Sequence, residues 1–145
     1  MWVVLIALTW HFRNLYLYSS PWAWLPAGVL FFLGTYVYLR AGSGFSFKQL
    51  GGVPELYPQS GSQRLITAGI RRRVRHPLYL AHFLEMLAWS LGSGLVVCFG
   101  LTAFALVTGG LMIRAEDAEL ERRFGAAFQE YRARVPGVIP RMRNV

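Results

Sequence analysis

The sequence predicts an all-α integral membrane protein, and three observations carry that prediction. The 145 residues are 54% hydrophobic with a mean hydropathy of +0.37, more than an ordinary soluble domain of this length carries. The apolar residues come in blocks: no charged residue lies between Asn14 and Leu39, and between His76 and Ile113 the only one is Glu85. Of 15 basic residues, seven lie from Arg40 to Arg75 and seven from Arg114 to Arg143, a clustering expected on the cytoplasmic side of a membrane.

The same placement explains the net charge of +8 as an orientation signal and as contact with anionic lipid headgroups, and argues against nucleic acid as a partner. Cys98, the single cysteine, excludes an intramolecular disulfide and suits a small core position. The N-terminus is apolar from Trp2 but has neither a basic leader nor a clear small-residue cleavage site, so it is not read as a signal peptide. The expected location is a membrane, a bacterial inner membrane, with both termini and the 41–75 segment at the cytoplasmic face.

One domain, 1–145, of about four transmembrane helices is expected. Its N-terminal helices occupy 1–40. Residues 2–10 are apolar, then His11, Arg13 and Asn14 interrupt before Leu15-Tyr16-Leu17-Tyr18, which suits a short first span or a segment lying partly in the interface. Ser19-Ser20-Pro21 breaks the run, and Trp22 and Trp24 are placed as interfacial anchors. The next span runs from about Leu25 to Leu39.

Residues 41–75 form a long connection rich in glycine and proline. Phe45, Phe47, Leu50, Leu56, Tyr57, Leu65 and Ile66 give it the apolar content of a cap on the membrane face. A helical hairpin follows over 76–114. Pro77 to Ile113 is 37 residues, which as one helix would reach roughly 55 Å, nearly twice a ~30 Å hydrocarbon core. Two spans with a turn at Gly92-Ser93-Gly94 resolve the excess. Both outer ends then return to the cytoplasmic side, in agreement with the charges.

Residues 115–135 are expected to form an amphipathic cytoplasmic helix, because Leu120, Phe124, Phe128, Tyr131 and Val135 make one apolar stripe. One step upstream the stripe lands on Glu116.

The chemistry is expected where these elements meet. His76-Pro77 marks a helix start, with Pro77 in the first turn and unpaired amides that favour an anion. Arg75 and its neighbours add positive charge, Tyr79 an aromatic face, and Glu116-Asp117 carboxylates for a cation or amine. The arginine cluster by itself is explained by topology, and the aromatic stripe by packing, with Tyr131 able to serve both packing and binding.

Arg75-His76-Pro77-Leu78-Tyr79, then one hairpin later Glu116-Asp117-x-x-Leu120-x-x-x-Phe124-Gly125-x-x-Phe128-x-x-Tyr131 and Val135-Pro136-x-x-x-Pro140, resembles the isoprenylcysteine carboxyl methyltransferase and phospholipid methyltransferase superfamily. The resemblance covers roughly residues 64–141. It implies S-adenosyl-L-methionine as methyl donor, bound at the cytoplasmic ends of the helices, and a lipid or other membrane-partitioned acceptor. On matching positions it implies that His76, Pro77 and Tyr79 contact the cofactor, with Glu116 and Asp117 where the family usually has Glu-Glu. Arg75 and Tyr131 complete the expected cofactor set. The chain departs from the pattern in three places. Ile70-Arg71-Arg72-Arg73 stands in place of Pro-Tyr-Arg-Tyr, Ala81 in place of glycine, and Gly137 in place of an arginine. These leave the acceptor open.

Inside the hairpin, His82 and Glu85 lie three residues apart on one helical face, at a depth where ionisable groups are costly and usually face a cavity or the protein interior. They are the candidate catalytic pair, set to bind an acceptor headgroup or to accept its proton. The alternative is a His–Glu pair that tightens packing. Methyl transfer from a sulfonium is an in-line displacement for which no metal is expected. Two other functions fit the pattern less well: a nicotinamide-dependent membrane reductase of the sterol reductase type, and a non-catalytic membrane scaffold or lipid-binding protein.

Overall fold

A computed structural model describes residue 10 and residues 12–42 and 65–140. The apolar run over 2–10 (apart from Trp10), His11 and the apolar side chains of the 41–75 connection from Phe45 to Tyr57 lie outside the described residues.

Four α-helices are present among the described residues: α1, Trp24–Gly42; α2, Pro77–Ser93; α3, Val96–Phe124; and α4, Ala126–Arg134. Short 3-10 turns occupy Pro21–Ala23 and Gly69–Arg72, and no strand occurs among the described residues. Two helices are long and apolar enough to cross a membrane, Pro21–Gly42, which takes in the first 3-10 turn, and α3. Many of their apolar side chains point outward, as Phe32 (74% exposed) and Val107 (66%) do. A helix with its bulk apolar groups outward suits hydrocarbon better than water. The α2 helix has 17 residues, about 26 Å at ~1.5 Å per residue.

The chain divides into two compact units, one of residues 1–35 and 81–112, the other of 36–80 and 113–145.

In the first unit, the turn after α2 is made by Gly94, whose φ of 65° lies in the left-handed region. A side chain there would also run into the Tyr18 carbonyl oxygen. Residues 15–18 pair with this turn instead of forming a helix. Leu17 N–H donates to the Gly94 carbonyl (2.8 Å), Val96 N–H to that of Leu15 (3.0 Å), and the Tyr18 hydroxyl to that of Leu91 (2.6 Å). A span that continued as helix through Leu15–Tyr18 is therefore excluded, because the backbone donors and acceptors of this segment go to the turn. Gly94→Ala is expected to cost about 1–2 kcal/mol from the left-handed backbone, and more from the contact with the Tyr18 carbonyl, read as a lower unfolding temperature in detergent.

The arms of α2 and α3 share a buried polar contact. The hydroxyls of Ser90 and Thr102 are 2.8 Å apart, and the Met86 carbonyl lies within 2.9 and 3.2 Å of them. Trp24 and Trp89 meet edge to face with ring centroids 5.8 Å apart. Gly34 leaves room for Glu85, whose Cγ would lie 2.9 Å from a Cβ at position 34.

In the second unit, the core is Phe128, Tyr131 and Val135, with Leu65, Leu120 and Phe124 packed against it. These are the stripe residues, but they do not belong to one separate helix. The helix expected over 115–135 is in fact two pieces: α3 continues without a break from the apolar segment to Phe124, and the chain turns at Gly125 (φ 52°) before α4. Nothing between Arg114 and Asp117 disfavours a helix, whereas the Gly125 conformation is one that only glycine adopts readily. Glu121 spans the bend, accepting from Gln129 Nε2 at 2.8 Å and Arg132 Nη1 at 3.3 Å.

Candidate functional site

The site grows from the loop that leads into α2. Pro77 opens the helix, so His76 caps it, with its carbonyl accepting from Leu80 N–H at 3.3 Å. The two residues before the proline pair with the chain beyond α4. Arg75 N–H donates to the Pro136 carbonyl and His76 N–H to the Gly137 carbonyl, both at 2.9 Å. The Val135-Pro136-Gly137 segment thus runs alongside Arg75-His76 as a short strap. The Arg75 side chain fixes it further, Nε donating to the Val135 carbonyl at 3.1 Å.

Onto this corner α3 projects its two acids. Arg75 Nη1 lies 2.6 Å from Asp117 Oδ2, and His76 Nε2 lies 2.8 Å from Asp117 Oδ1. His76 Nδ1 is 3.4 Å from Glu116 Oε2. Both ring nitrogens therefore face carboxylate oxygens, which only accept, so the arrangement is satisfied by the doubly protonated ring. Asp117 and Arg75 side chains are 10% and 11% exposed, that of Glu116 48%. The acid held inside is Asp117; Glu116 faces outward while still touching His76. Tyr79 stands edge-on to His76, centroids 5.9 Å apart. Tyr131 donates its hydroxyl to the Arg71 carbonyl at 2.7 Å, so its polar atom is engaged within the protein.

Burial opposes the charged form of His76, but the hydrogen bonds and charges of Glu116 and Asp117 outweigh it, and the imidazole pKa is raised above 6.5. Burial likewise pushes the Tyr131 phenol up against the pull of Arg71 and Arg75. For His76 the linkage has a definite sign. A folded-state pKa above the unfolded one contributes stability that is complete below 6.5 and is lost as pH rises through the folded value. Unfolding temperature is expected to fall as pH is raised from just below 6.5 into the alkaline range, and Asp117→Asn should flatten that slope.

Of the expected cofactor residues, the structure brings Arg75, His76, Glu116 and Asp117 into one cluster, with Tyr79 beside it. Tyr131 sits beneath it in the core. His82 and Glu85 belong to the first unit and take no part in the cluster. His82 is exposed, and the Glu85 carboxylate has no hydrogen bond or ion pair among the described residues. Sequence reasoning missed the strap: its bonds to Arg75 and His76 use main-chain groups, for which the Val-Pro pair was the one visible mark.

Two motifs 40 residues apart in the chain thus close on each other, the same two that carry the resemblance to membrane methyltransferases. Over 97% of its length the chain is 28% identical to methanethiol S-methyltransferase 2 of Bradyrhizobium diazoefficiens, covering 56% of that protein. It is 35% identical over 52% of its length to the protein-S-isoprenylcysteine O-methyltransferase of Schizosaccharomyces pombe, covering 33% of it. A delta(14)-sterol reductase of Mus musculus is 33% identical over 57% of the chain and 20% of its own length. The chain spans little more than half of these curated relatives at most. No protein-family model matches the chain, and no solved structure does. The methyltransferase relatives support the resemblance to the isoprenylcysteine methyltransferase superfamily.

Proposed function

We propose that this chain is an integral membrane methyltransferase that uses S-adenosyl-L-methionine to methylate a lipid or other membrane-partitioned acceptor at the cytoplasmic face. The observation that carries this reading is the closing of the Arg-His-Pro corner on the Glu-Asp pair, within 2.6 to 3.4 Å. The similarity to proteins named as methyltransferases supports it.

The donor set suits such a cofactor. Glu116 offers a half-exposed carboxylate to an amine or to ribose hydroxyls, Arg72 and Arg73 are exposed cations for a carboxylate, and Tyr79 offers an aromatic face. When bound, the cofactor supplies an electrophilic methyl group on a sulfonium. The tasks left to the protein are alignment and exclusion of water. His76 holds Glu116 by charge.

Glu85, with His82 on the same helical face, is assigned to the acceptor. As a new bond forms to the methyl carbon and the carbon–sulfur bond breaks, a thiol or amine acceptor must release a proton, and the Glu85 carboxylate is the group proposed to take it. Glu85→Gln is expected to lower turnover about 100-fold, within the usual range for general bases, with donor affinity unchanged in calorimetry. Full turnover would leave Glu85 a packing residue.

The similarity to a sterol reductase gives a second reading, a nicotinamide-dependent reductase. One experiment separates the two. The purified protein is incubated with labelled methyl donor and a total lipid extract, and the labelled product is identified by mass. Labelled product supports methyl transfer. No product, with a reduced nicotinamide bound instead, supports the reductase, and binding of neither supports a scaffold.

A further inference from the structure

We propose that Arg75 and Asp117 are positioning residues that clamp the 135–137 strap over the helix entrance, and that Glu116 alone of the two acids meets the ligand. The proposal rests on the cofactor reading above and divides its residues into two groups that the sequence motif does not distinguish.

Arg75 has three of its donor nitrogens committed. The backbone N–H holds the Pro136 carbonyl, Nε the Val135 carbonyl and Nη1 the Asp117 carboxylate. Its guanidinium carbon lies 5.8 Å from the Phe128 ring centroid, and Nη2 lies against Gly137, 3.5 Å from where a Cβ would stand. Asp117 is committed as fully, one oxygen to Arg75 and the other to His76. A ligand that used Asp117 or the Arg75 Nε would have to displace a charge-assisted bond within a nearly closed site. Glu116 makes one long contact and is otherwise open.

The bonds also run in a closed circuit. Asp117 draws Arg75 and His76 together, Arg75 fixes Val135, and the backbone of Arg75 and His76 fixes Pro136 and Gly137. Loosening Arg75 should therefore free the strap, which lies in sequence beyond every cofactor residue.

The test is hydrogen exchange of the His76 amide, which donates to Gly137, in the full chain in nanodiscs, beside S-adenosylhomocysteine affinity by calorimetry. Arg75→Lys keeps the charge and loses the fork. Exchange at His76 is expected to quicken about tenfold, the scale of one lost charge-assisted bond, while affinity moves less than about threefold. Glu116→Gln should do the reverse, weakening affinity about tenfold or more and leaving exchange unchanged. If Arg75→Lys does not fold, Asp117→Asn supplies the same comparison. Weakened affinity with unchanged exchange would overturn the proposal and make Arg75 a ligand contact. If the unsubstituted protein binds no S-adenosylhomocysteine, the cofactor reading fails, and the exchange result still decides whether the clamp exists.

Discussion

Asp117→Ala is expected to lower the stability of the protein by about 3 kcal/mol, because it leaves two cations without their counter-charge in a site closed to water. His76 is 4% exposed, and the Arg75 side chain 11%. The remaining acid, Glu116, is too distant at 3.4 Å and too exposed to replace Asp117 for both. Part of the loss should be recovered by His76 giving up its proton, so the variant is expected to gain on the native protein as pH rises. Thermal unfolding in detergent across pH measures both effects. A stability within about 0.5 kcal/mol of the native protein would show that the cluster is a surface arrangement of little weight.

Glu116→Ala should give the opposite profile. With its carboxylate half exposed and held by a single long contact, its removal is expected to change stability by less than about 1 kcal/mol. Donor binding is expected to weaken roughly 100-fold, the scale of a charge-assisted hydrogen bond worth ~3 kcal/mol. Calorimetry with S-adenosylhomocysteine reads it directly. Unchanged affinity would place the cofactor away from α3. Together the neighbouring substitutions separate the group that holds the site from the group that uses it.

The two acids also show where sequence reasoning reached its limit. Their meeting with His76 was legible, since the 37-residue apolar stretch had to fold back and bring its ends together. Which acid goes inside was not. Glu116 lies four residues before Leu120 and Asp117 three, and both spacings put a residue on the same side of a helix. The choice falls to the partners: Arg75 and His76 supply two charges at the depth a short aspartate reaches, and the longer glutamate is left at the edge. The break at Gly125 was hidden for a related reason. The apolar stripe continues in register through it, from Phe124 to Phe128, so periodicity alone gives one helix where a positive φ divides two. Residues 15–18 are apolar and aromatic enough for a span, and only their main-chain bonds to the Gly94 turn tell them apart from one.

The cluster at the helix entrance has a further property. With His76 doubly protonated, Arg75 and His76 carry two positive charges, and Glu116 and Asp117 two negative ones, so the four groups sum to zero. Seen from farther than a Debye length of ~8 Å, the cluster offers almost no field of its own. On the proposed function, recognition there would be a matter of touch: a ligand with both signs of charge would find the cluster's attractions only on arrival, when its own groups stand against individual atoms.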